Sequence, residues 1–72
     1  MQGLNIKPNL TAPDDFYEEL IGMHRGLTDG ESALVNAKLI LLLANHIGDP
    51  AILRAAIDAA RDGVEPDAEP IR

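Results

Sequence analysis

The chain contains no cysteine. Disulfides and thiolate zinc sites are therefore excluded as sources of stability. Basic residues are few, six against twelve acidic ones, and the formal net charge is -6. Lys7, Arg25, Lys38, Arg54, Arg61 and Arg72 are scattered rather than clustered. Nucleic acid and anionic membrane surfaces both require clustered positive charge, so neither is expected as a partner. The first ten residues, MQGLNIKPNL, lack the continuous apolar stretch of a signal peptide. The longest apolar run, Leu39 to Ala44, is too short to span a bilayer. These absences predict a soluble, cytoplasmic protein. With 72 residues there is room for one domain and a modest core. Helix packing or association must supply the stability that disulfides and metals do not.

What is present is helical punctuation. Thr11 is a candidate cap, Pro13 suits a first turn, and Asp14 and Asp15 favour the positive end of a helix dipole. Phe16, Leu20, Met23 and Leu27 recur at helical spacing, and Gly26 offers a left-handed stop. Gly22 inside this helix leaves room for close approach of another backbone. Thr28 and Glu31 have the spacing of a capping box and precede a long apolar pattern that stops at Gly48. Asp49 then caps a third helix with Pro50 in its first position. There Ile52, Leu53, Ala56, Ile57 and Ala60 form an apolar stripe, and Gly63 ends the helix.

The predicted fold class is all-α. It is a small three-helix bundle with helices over about 12–26, 29–47 and 50–62, an extended N-terminal arm and a mobile C-terminal tail. Residues 1–63 make a single helical domain and residues 64–72 a flexible acidic, proline-bearing tail. Leu4, Ile6 and Leu10 alternate along the arm, which is expected to lie extended on the helices. The expected core is Phe16, Leu20, Met23, Leu27, Leu34, Leu39, Leu42, Leu43, Ile47, Leu53, Ile57 and Ala60.

The central helix is apolar around nearly its whole circumference between Leu39 and Ala44. Such a helix is normally buried on all sides, and two amphipathic neighbours leave a strip uncovered. That strip predicts self-association or docking on a larger enzyme subunit. The candidate interface is Val35, Leu39, Leu41, Leu42, Asn45 and His46, with His24, Arg25 and Asn36 as candidate polar contacts. Asn36 and Asn45 interrupt the apolar pattern, and each must find a partner if buried.

Signs of catalysis are sparse. The hydroxyls are Thr11, Thr28, Ser32 and Tyr17, and the threonines are accounted for as caps. No glycine-rich phosphate loop or nucleophile elbow is present. The acids Asp14, Asp15, Glu18 and Glu19 read as a solvated face that complements the helix dipole. His24 and His46 close different helices, and no histidine pair has ligand spacing. No catalytic residue, no metal and no cofactor is assigned. A small-ligand or metal site built on His24 and His46 is the alternative reading.

The segments PDDFYE, HRGL, SALVNAKL and LLLANHIGD, within Pro8 to Arg61, give the chain a further character. In this combination it resembles a family of short proteobacterial proteins classed as a domain of unknown function, DUF2783. The resemblance implies small stand-alone proteins and brings no assigned activity or catalytic residue.

Overall fold

Pro13 has no N–H to leave unsatisfied at a helix start, and the first helix begins there. The computed structural model describes residues 3–66, and helix α1 runs Pro13–Met23. Its N-cap is Ala12, in the left-handed region at φ 57 and ψ 61, with no side-chain capping bond. Thr11, expected as the cap, is not one. Pro13 disfavours the right-handed helical region for the residue before it, but nothing in the structure explains why Ala12 takes the left-handed well rather than an extended one. The helix is three residues shorter at its C-terminus than the spacing predicts. His24 N–H donates to Ile21 O at 3.0 Å and Arg25 N–H to Gly22 O at 3.1 Å. These i→i−3 bonds tighten the chain into turns, and Gly26 follows at φ 77.

Helix α2 runs Asp29–Ile47 and α3 runs Pro50–Arg61. At the start of α2, Glu31 N–H donates to Thr28 Oγ1 at 3.1 Å, and Thr28 N–H to Glu31 Oε1 at 3.0 Å. The predicted capping box is thus formed in both directions. Gly48 closes α2 at φ 71, its N–H donating to Ala44 O at 2.8 Å. Asp49 Oδ1 then accepts from Ala51 N–H at 2.9 Å and Ile52 N–H at 3.4 Å, which starts α3. Only Gly48 and Asp49 separate the two helices. At the far end, the Arg61 guanidinium donates to Val64 O, and Val64–Pro66 have no regular structure. The mobility expected of the tail falls largely on residues 67–72, which lie outside the described residues.

Among the described residues the fold is three helices with no strand. The N-terminal arm reaches α3. Gly3, at φ +92, lies so close to Ile52 that an added Cβ would sit 3.0 Å from its Cγ1. Leu4 is half-buried beside it, while Ile6 and Leu10 stay exposed, so only the start of the arm is covered. Gly22 does not admit a neighbouring backbone. The Arg25 guanidinium occupies that space, with Nη1 3.2 Å from where a Cβ would stand.

The expected core is the main correction. Ala55, at 7 % exposure, is the buried apolar residue of the described chain, and no large side chain is fully buried. Leu20, Met23, Leu27, Leu39 and Leu53 are half-buried, but Phe16, Leu34, Leu42, Leu43, Ile47, Ile57 and Ala60 are exposed. On α3 the covered face is centred on Ile52, Ala55 and Ala56, so the stripe is rotated away from Ile57 and Ala60. A helix that is apolar all round needs neighbours on every side, and α2 does not have them here. The Cα radius of gyration is 14.6 Å, against about 11 Å for a compact domain of this length. The three helices therefore splay rather than enclose a core.

Candidate interaction surface

Ser32, Val35 and Leu39 recur along one side of α2 and are half-buried, which makes that side the inner one. Turning around the helix, Leu34, Lys38, Leu41, Leu42 and Asn45 form a neighbouring exposed strip. Leu41 and Leu42 are 68 % and 69 % exposed. With Lys38 and Asn45 they line a shallow trough of about 320 Å³. Past the small residues Ala33 and Ala37 lies a second exposed ridge, Ile40, Leu43 and Ile47. The helix is thus covered along one side, and at Ala44 near its C-terminal end, and is open along both ridges.

The candidate interface residues divide accordingly. Leu41, Leu42, Asn45 and His46 are exposed, whereas Val35 and Leu39 belong to the half-buried side. Asn36 and Asn45 are both exposed, so neither is a buried amide in need of a partner. No buried side-chain polar atom among the described residues lacks a hydrogen bond. Leu34, Lys38 and Ile40 belong to the open surface but not to the sequence-derived interface. Lys38 carries the charge that takes it out of an apolar search. Its position relative to Leu41, Leu42 and Asn45, three, four and seven residues on, is the spacing that could have found it.

The electrostatics of the surface are simple. From Ser32 to Gly48 the sequence holds no Asp or Glu, and Lys38 is the one Lys or Arg. The acids sit elsewhere. Asp14, Asp15, Glu18 and Glu19 are all exposed on α1, as a solvated face should be. Asp29 and Glu31 stand in the first turn of α2, where the helix dipole favours them.

His24 and His46 are not brought together. His24 caps the C-terminus of α1, just before the turn into α2, and His46 lies in the last turn of α2. The 19 residues of α2 span about 28 Å at 1.5 Å per residue. The histidines therefore mark its two ends. Among the described residues no group of three or more His, Asp or Glu side chains is arranged to hold a metal ion. Arg25 lies against Gly22 of its own helix end. None of the described helices is long and apolar enough to cross a membrane.

The fold and surface define a small all-α protein with an open apolar central helix. The chain belongs to the family described as protein of unknown function (DUF2783), which matches residues 4–62. No curated protein and no solved structure matches it.

Proposed function

We propose that this chain is a non-enzymatic interaction protein that acts by presenting the open side of α2 to another protein surface. The observation that carries the reading is the exposure of Leu34, Leu41 and Leu42 along one strip, with Ile40, Leu43 and Ile47 beside it. Exposed apolar residues that adjoin one another mark contact surfaces, whereas single ones do not. The strip also resembles an interface core in its near-absence of charge. Thr28 is committed to a capping box, and its hydroxyl is therefore not a free nucleophile. The two histidines at opposite ends of α2 favour contact over a shared ligand.

A photoreactive amino acid at position 41 tests this in cells expressing the protein at native level. Illumination should give discrete adducts, and the same probe at Asp58, an exposed position on α3, should give far fewer. Equal diffuse labelling from both positions would sink the reading.

A further inference from the structure

We infer that the open side of α2 is closed by the same surface of a second copy of this chain. This rests on the reading of α2 as an interaction surface and adds the identity of the occupant.

The argument is one of area. The chain exposes 6451 Å², against about 4,300 Å² for a compact monomer of its 7.7 kDa mass. The excess is about 2,100 Å² by that scaling. The residues outside 3–66 can account for part of it, at most about 1,400 Å² if given full unfolded exposure. The described chain still exposes about 1,100 Å² more than a compact body of its size. Doubled over two chains, this range is about 2,200–4,200 Å², within the roughly 2,000–5,000 Å² that obligate homodimers and other permanent complexes bury. A standard docking patch takes only about 800 Å² from each partner. The excess has the size of a core cut in half, and it includes Phe16, Tyr17 and Ile57 as well as the two ridges of α2.

Charge points the same way. Two chains of net charge -6 repel, unless they meet where the acids are absent. The stretch from Ser32 to Gly48 is such a place, with no carboxylate and Lys38 alone charged. Lys38 can extend its ammonium to solvent while its stem covers apolar surface. A twofold pair of this strip juxtaposes Leu41 and Leu42 with their symmetry mates.

The test uses the full chain. Sedimentation at micromolar concentration should give twice the 7.7 kDa chain mass. Leu41→Glu places one carboxylate per chain in the contact and should weaken association by more than about 100-fold. Because that variant can fail to fold when it fails to pair, a second measurement stands apart from it. The protein has no cysteine, so Lys38→Cys accepts a single spin label at the midpoint of Asp29–Ile47. Helix axes pack about 8–10 Å apart, so mid-helix labels fall within about 25 Å of each other in either orientation. A dimer with labels beyond about 40 Å, well outside that packing distance, would overturn the assignment to α2. A monomer at high micromolar concentration overturns the dimer outright. If that monomer binds the dye ANS strongly, the apolar face is uncovered and the interaction reading survives. If it is silent to the dye, both fall.

Discussion

Gly48 makes the corner between α2 and α3, and its replacement by the two mirror-image alanines isolates what that corner costs. Its φ of 71° lies in the left-handed region. A Cβ added there in the L configuration would meet nothing nearer than Asn45 O at 3.8 Å, an ordinary contact. The substitution therefore tests backbone conformation alone. L-Ala pays about 1–2 kcal/mol for the left-handed well and recovers about 0.4–1 kcal/mol from a less flexible unfolded chain. A net loss of up to about 1.6 kcal/mol follows. D-Ala suits a positive φ and keeps the unfolded-state gain, so it should stabilise by about 0.4–1 kcal/mol. The unfolded-state contribution is the same for both enantiomers and cancels in their difference. That difference, about 1–2 kcal/mol, is the left-handed penalty itself. At about 4–8 °C per kcal/mol for a domain of this size, it is read directly from melting curves of the synthetic chain at equal concentration. Equal melting of the two proteins would refute the left-handed assignment at Gly48.

Thr28→Ala removes the acceptor for Glu31 N–H and should cost about 1 kcal/mol by chemical denaturation. Combined with Glu31→Ala in a double-mutant cycle, it should show coupling, since each side chain bonds the other's backbone, and simple additivity would count against the box. Ala12→Asn places a residue tolerant of the left-handed region at φ 57 and should stabilise by about 0.5–1 kcal/mol, seen as a raised melting temperature. Gly22→Ala improves helix propensity by about 1 kcal/mol, and its Cβ meets only the movable end of Arg25. It should raise stability, and a loss would show that the Arg25 placement matters more than the helix.

Local structure was legible in the sequence because each boundary has a local cause. Thr28 with Glu31, Gly48, and Asp49 with Pro50 satisfy backbone groups within a few residues of themselves, so α2 and α3 fall nearly where their spacing places them. The end of α1 was less legible. His24 and Arg25 have no residue type that forbids a helix, and only their bonds to Ile21 O and Gly22 O show the tighter turn. Ala12 was not legible at all, because alanine has no sequence signature for a positive φ. The core was misread for a different reason. Periodicity shows which residues of a helix are apolar but not how many of its sides find a neighbour. Leu34, Leu42 and Ile57 have the right spacing for burial, and no element among the described residues buries them.

This same gap separates the two uses of apolar residues in α2. If Leu41 and Leu42 were core, the half-buried side of the helix would include them. It instead comprises Ser32, Val35 and Leu39, a narrow stripe that a small neighbour can cover, with Ala44 half-buried apart from it. A sequence that needed only this stripe could carry polar residues on the other two sides, as most surface helices do. Here those sides carry Leu34, Leu41 and Leu42 on one ridge and Ile40, Leu43 and Ile47 on the other. Apolar exposure on that scale destabilises a solvated chain through aggregation unless another surface covers it. From Ser32 to Gly48 the ridges themselves carry no carboxylate, so that surface can approach their length without acidic repulsion. Under the proposed pairing, the open helix is half of a core rather than an imperfect one.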